Sequence, residues 1–209
     1  MLEISSFCGG FCSTNGYLVR NPGNGQEILV DAPLGILDWM KETGVRPGAL
    51  LLTHQHFDHV EEVAMIVQEF GVKVYGWSPV SEQLTLEKWA VEAGAIERIE
   101  TFSIDCLLEE MEEGELLKVA ELSFELLHVP GHSPDSVCFY LSDSELVFVG
   151  DVLMSGGYGR TDLPHGNASE LFQGIREKMW TLPEGTHVLS GHGPPTTIEV
   201  EKANGLIPV

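Results

Sequence analysis

Residues 53–59 read Thr-His-Gln-His-Phe-Asp-His. Four side chains able to bind a divalent cation, His54, His56, Asp58 and His59, fall within six residues. His132, Asp151 and His192 follow later, each behind its own apolar run. Neutral imidazole and carboxylate are the ligand types of zinc, iron and manganese. A lone histidine is commonly just a hydrogen-bonded residue. Seven candidates in the order HxHxDH, H, D, H are hard to explain by folding alone, and the pattern reads as a metal site. His54 and His56 stand two apart, so on an extended segment both point the same way. Asp58 and His59 fall where the chain turns into a following helix, which can aim them at a second ion. The spacing therefore favours two divalent ions about 3.5–4 Å apart, as in two-metal hydrolases.

The elements that must hold these side chains alternate between strand and helix signals. Glu27–Val30 reads as a strand after the turn signal Asn21-Pro22-Gly23-Asn24-Gly25, and Ala49–Thr53 as a short buried strand running into the histidine cluster. Val60, Val63, Ala64, Val67 and Phe70 recur at helical spacing, with Gly71 as the C-terminal cap. Val72–Tyr75 reads as a strand, Leu84–Ala95 as a helix, and Leu116–Val129 as two paired strands. Leu146–Val149, a helix near Leu171–Met179, and Thr186–Leu189 complete the pattern. His54, His132, Asp151 and His192 each lie just past a predicted strand end, the sheet edge at which α/β folds gather functional groups. With neither an internal repeat nor a low-complexity linker, the expectation is one mixed α/β domain over residues 1–209.

Composition excludes some partners. The chain of 209 residues carries 32 acidic against 11 basic side chains, a formal charge of −21. Such a surface repels phosphate backbones and anionic lipids, so neither nucleic acid nor membrane is expected as a partner. No apolar stretch approaches the roughly 18 residues of a membrane span, and the start lacks a basic and apolar leader. The expected location is cytoplasmic. Cys8, Cys12, Cys106 and Cys138 do not have zinc-ribbon spacing. Cys106 and Cys138 are expected in the core and Cys8 and Cys12 in a glycine-bearing mobile stretch, while a reducing compartment disfavours a disulfide. His165, in Pro164-His165-Gly166-Asn167, reads as a surface residue.

The H-x-H-x-D-H box, Pro130-Gly131-His132, Gly150-Asp151 and Gly191-His192-Gly193-Pro194, in that order over essentially the whole chain, resemble the metallo-β-lactamase superfamily. The resemblance implies an αββα sandwich with the metal site at one edge. It implies that His54, His56 and His132 bind the first metal, that Asp58, His59 and His192 bind the second, and that Asp151 bridges them. Asp31, closing the early strand, resembles a supporting aspartate that orients a ligand. Within the superfamily the chain looks closest to the small glyoxalase II-like hydrolases, through Gly150 to Leu153 and Gly159-Arg160-Thr161-Asp162. Zinc β-lactamases commonly place Cys where this chain has Asp58 or Asp151. Full-length glyoxalase II adds a helical glutathione-binding domain, which is not expected in the residues 194–209 that remain. Its two glutathione-contacting tyrosines correspond to Pro194 and Asp162 here, while Arg160 replaces a family lysine.

The implied chemistry is hydrolysis of a small acyl thioester, hydroxyacylglutathione-like, by a metal-bridging hydroxide. Two divalent ions with Asp58, Asp151 and hydroxide leave a net charge of about +1, which brings the pKa of bound water towards ~7. Zinc is the first expectation for the ions, iron or manganese the alternatives. Asp58 and Asp151 are the expected catalytic carboxylates, and Arg160 is expected to pair with a substrate carboxylate. The rival reading is a persulfide dioxygenase, which the chain also resembles through Gly159 to Asp162, holding one iron on His56, His132 and Asp151. A further alternative is a non-catalytic metal-binding or redox-sensing module using Cys8 and Cys12. Oligomeric state is left open.

Overall fold

Ile28-Leu29-Val30, Val137–Leu141 and Leu146–Val149 lack the alternation of a strand with one wet face, because both of their faces are covered. The computed structural model describes residues 2–112 and 114–208. Among them one sheet has the order β1 (Glu3–Gly9), β2 (Thr14–Arg20), β3 (Glu27–Val30), β4 (Ala49–Leu51), β5 (Lys73–Gly76), β6 (Cys106–Leu107). The second runs β12 (Thr196–Thr197), β11 (His187–Ser190), β10 (Leu146–Gly150), β9 (Val137–Leu141), β8 (Leu122–His128), β7 (Leu117–Val119).

The period of two along each strand assigns its side chains to layers. Ile28, Val30, Leu51, Phe139 and Phe148 point into the space between the sheets, where they meet Tyr17, Phe124 and Leu189. Leu29, Leu50 and Val74 point outward, onto Ile36 and Met40 of α1 (Ile36–Thr43) and onto Val60, Val63 and Ile66. The last three belong to α2 (Phe57–Val60) and α3 (Val63–Phe70). Tyr140, Val147 and Val149 pack outward from the other sheet against Leu171, Ile175, Met179 and Ile198. These come from α6 (Ala168–Gly174), its π-helical continuation Ile175–Met179, and α7 (Ile198–Asn204). Each fully buried Phe or Leu contributes about 1.5–3 kcal/mol, and the three clusters together make an αββα sandwich.

Most predicted elements stand where the pattern places them, and Gly71 caps α3 in the left-handed region with its N–H on the Val67 carbonyl. The helix expected over Leu84–Ala95 is a correction. The chain forms α4 (Glu82–Thr85) and α5 (Glu87–Glu92), broken at Leu86, whose φ is 54°. Burial of the Leu86 side chain, 5% exposed, outweighs helical continuity there. The strand expected to run on to Thr53 stops at Leu51. Thr53 instead donates its N–H to Asp31 Oδ1 and accepts Val137 N–H on its carbonyl, which ties the two sheets together at one edge. Cys138 is buried as expected, Cys106 is only half-buried, and Cys8 and Cys12 are exposed and unlinked. His165 is exposed. No helix among the described residues is long and apolar enough to cross a membrane.

Candidate metal centre

Strand direction gives the ligands one address. β3 is parallel to β4, and β10 is parallel to β11. β8 and β10 both pair antiparallel with β9 and so run the same way as each other. His54, His132, Asp151 and His192 follow the C-terminal ends of β4, β8, β10 and β11. The edge is closed by a backbone bond from Asn15 N–H to the Gly191 carbonyl, 2.7 Å, alongside the Thr53–Val137 link. His54 and His56 lie on the extended stretch before α2, and Asp58 and His59 on the helix itself.

All seven sequence-predicted ligands converge. His54, His56 and His132 form one group whose donor atoms lie within 4.8 Å of one another, His54, His59 and Asp151 a second, and Asp58, His59 and His192 a third. Asp151 stands between the groups, its Oδ1 3.4 Å from His59 Nε2 and its Oδ2 3.4 Å from His132 Nε2 and 3.3 Å from His192 Nε2. Asp58 Oδ2 lies 3.4 Å from His192 Nε2 and accepts the Thr14 hydroxyl at 2.6 Å.

The donor atoms themselves test whether ions fit. One nitrogen of each of three rings is tied to the protein. His59 Nδ1 is 2.8 Å from Asp31 Oδ2, His132 Nδ1 is 2.8 Å from the Arg160 carbonyl, and His54 Nδ1 is 3.2 Å from Thr53 Oγ1. The opposite nitrogens, His54 Nε2, His59 Nε2 and His132 Nε2, are buried without a hydrogen-bond partner, as is Asp151 Oδ1. Buried polar atoms are rarely left so, and an orienting bond on one nitrogen with the other free is how metal-binding histidines are held. The residues present fit a divalent metal site.

Charge supports the same conclusion. Burial, then the neighbouring imidazoles, holds His54 far below its ordinary pKa, and burial beside His132 takes His56 down to about 3. Burial likewise lowers His132. These three are neutral imidazoles with lone pairs to give. At the other end, burial opposes charge, yet His59 and His192 hold Asp58 down at about 2. Against the same burial, Asp58 and Asp31 hold His59 well above its usual value, and Asp151 and Asp58 hold His192 at about 9. A half-site with two carboxylates recruits protons when it has no cation, and a metal ion would replace them.

Two glycines permit this crowding. A Cβ at Gly191 would fall on Asp151 Oδ1 and 2.6 Å from His59 Cε1. Gly150 has φ +50°, and a Cβ there would meet Thr53 Oγ1 and, at 2.7 Å, its Cβ. The turns that present Asp151 and His192 therefore require glycine.

Asp31 was singled out from the sequence as an orienting residue, and its carboxylate contacts both Thr53 and His59. Thr14 was not singled out, because it opens β2 beside Asn15 and Gly16, a polar start that carries no strand signal. Arg160 lines the cavity above the site together with Cys12 and Trp89, but its guanidinium is turned onto Asp162 through two hydrogen bonds of 2.8 and 2.7 Å.

Comparison with known proteins agrees with this geometry. The family model of the metallo-beta-lactamase superfamily matches residues 9–192. The probable metallo-hydrolase YqgX of Bacillus subtilis is 41% identical over 174 residues, 80% of this chain and 78% of that protein. Hydroxyacylglutathione hydrolase GloC of Haemophilus influenzae is 36% identical over 187 residues, covering 88% of this chain and 83% of its own length. Among solved structures, the BLEG-1 B3 metallo-beta-lactamase superposes with a TM-score of 0.85 at 32% identity, over 96% of this chain and 97% of its own. TTHA1623 in a di-iron-bound form gives 0.80 at 33%, over 96% and 98%. ETHE1 from Myxococcus xanthus gives 0.75 at 26%, over 98% and 83%. From the shared motifs, the layered sandwich and the matched length, the chain belongs to the metallo-beta-lactamase superfamily.

Proposed function

We propose that the protein is a two-metal hydrolase that cleaves a small acyl thioester. The observation that carries this is that three unpartnered imidazole nitrogens and one unpartnered carboxylate oxygen belong to two adjoining ligand groups that share His54. In this reading His54, His56 and His132 hold one divalent ion, Asp58, His59 and His192 the other, and Asp151 serves both. Ions so held supply Lewis acidity, polarising a carbonyl and making water a nucleophile near neutral pH. Zinc is the first choice of metal, and the di-iron relative supports iron as an alternative. Asp58 and Asp151 set the charge of the centre, and Thr14 fixes which Asp58 oxygen faces His192. No Ser, Cys or Lys nucleophile is required. A thiolate leaving group, with a pKa near ~8.5, departs without a dedicated acid, which favours a thioester over an amide. The similarity to a hydroxyacylglutathione hydrolase supports the same bond. The reading takes residues 1–209 as one catalytic domain in the cytoplasm.

A second reading has a specific basis. His56, His132 and Asp151 make a two-histidine, one-carboxylate face suited to one iron with open positions for dioxygen, as in a persulfide dioxygenase. The discriminating experiment compares S-lactoylglutathione, a neutral thioester, glutathione persulfide and a β-lactam as substrates of metal-loaded protein under air. Thioester cleavage without oxygen consumption is expected. Oxygen uptake with the persulfide and no thioester cleavage would replace the hydrolase reading with the dioxygenase. Full metal content with no turnover of any of the four would favour a metal-binding or redox-sensing module.

A further inference from the structure

The cavity over the metal centre has about 310 Å³ of space, at the small end for ligand sites. Its walls are Phe57, Leu86, Trp89, Met154, Tyr158 and Leu163. Trp89 and Phe57 lie with ring centroids 6.3 Å apart, and Tyr158 packs edge-on against Phe172 at 4.8 Å, so the aromatic walls are braced from behind. Trp89 and Tyr158 remain 40% and 37% exposed, although both are large and apolar in body. The break at Leu86 is what turns that side chain into the wall. Among the described residues, Arg160 is the sole Lys or Arg lining the cavity. Its charge is cancelled by the bidentate pair with Asp162, on a molecule of formal charge −21.

Resting on the hydrolase reading, we propose that this cavity selects uncharged thioesters with a small apolar group, and selects against anionic glutathione thioesters. Apolar walls gain from burying alkyl or aryl surface. A glutathione carboxylate would have to share Arg160 with Asp162 and approach through a negative field. In this proposal Asp162 keeps Arg160 occupied, in place of the pairing with a substrate carboxylate expected from the sequence.

Binding tests this apart from turnover, because thioether analogues cannot be hydrolysed. Calorimetry on the metal-loaded protein would compare neutral S-butyl-N-acetylcysteamine with anionic S-butylglutathione. The neutral ligand is expected to bind at least about fivefold more tightly, with Trp89→Ala weakening it about tenfold. Asp162→Ala frees the guanidinium and should tighten S-butylglutathione about fivefold, the scale of one exposed ion pair, while leaving the neutral ligand unchanged. Raising salt should strengthen only the anionic ligand. Tighter binding of S-butylglutathione by the unaltered protein, or no response of either ligand to Asp162→Ala, would overturn the proposal. If the neutral thioether binds as expected while no thioester is cleaved, the selectivity stands and the hydrolase reading falls.

Discussion

Asp31→Asn changes one atom and tests how the centre is held. Asp31 closes β3 at φ 59°, with 2% of its surface exposed. Its carboxylate accepts three hydrogen bonds of 2.8 Å, from Thr53 N–H, Thr53 Oγ1 and His59 Nδ1. An asparagine has a single acceptor oxygen. If that oxygen stays on Thr53 N–H, the amide NH2 faces the threonine hydroxyl and His59 Nδ1. The hydroxyl can rotate to accept, but His59 can accept only as the other tautomer, which puts a proton on Nε2, the atom aimed at the metal. The variant thus loses either a charge-assisted hydrogen bond, about 1.5–3 kcal/mol, or the ligand's lone pair. At about 1.4 kcal/mol per tenfold, the expected loss in affinity for the ion on Asp58, His59 and His192 is about 10–100-fold. The other ion feels only the relay through Thr53 to His54 Nδ1, 3.2 Å away, and should weaken less. Chelator competition, with circular dichroism as a check on folding, reads both affinities. Unchanged affinity at both sites in a folded variant would refute the assignment of Asp31.

Asp151→Ala should strip both ions and all activity, whereas His59→Ala should weaken mainly one, as metal analysis of the two variants would show. Gly191→Ala forces a methyl onto Asp151 and His59, so it should destabilise the fold by about 1–3 kcal/mol and lower metal content, read by denaturant melts and metal analysis. In the metal-free protein His192 is held at about 9, because Asp151 and Asp58 outweigh the lowering by burial. Its contribution to metal-free stability is therefore full below about pH 6.5 and lost as pH rises through about 9. Metal uptake must expel that proton, so affinity should rise with pH over the same range, with proton release measurable by calorimetry in buffers of different ionisation heat. Affinity flat across that range would contradict the ligand role of His192.

The cluster of candidate ligands was legible in the sequence because metal ions demand a few residue types at fixed places, and strand ends collect them. The inner strands were legible because both faces are dry. The β1–β2 hairpin was not. β2 is buried almost throughout with Thr14, Asn15 and Gly16 at its start, a polar beginning that periodicity does not read as strand. Those polar residues are there for the site, since Thr14 bonds Asp58 and Asn15 Nδ2 donates to the Ser190 and Gly193 carbonyls. The break at Leu86 carried no glycine or proline signal, because tertiary burial of that one side chain imposes it. The neutralisation of Arg160 by Asp162 needed side-chain geometry, as two residues of opposite charge two apart can face either way.

Metal stoichiometry tests the central claim most directly, measured with activity on protein purified without a polyhistidine tag. Two divalent ions per chain are predicted, both lost with Asp151→Ala, with thioester cleavage that consumes no oxygen and tracks occupancy of the second ion. A single iron per chain at full activity, with oxygen consumed and His59→Ala without effect, would contradict it.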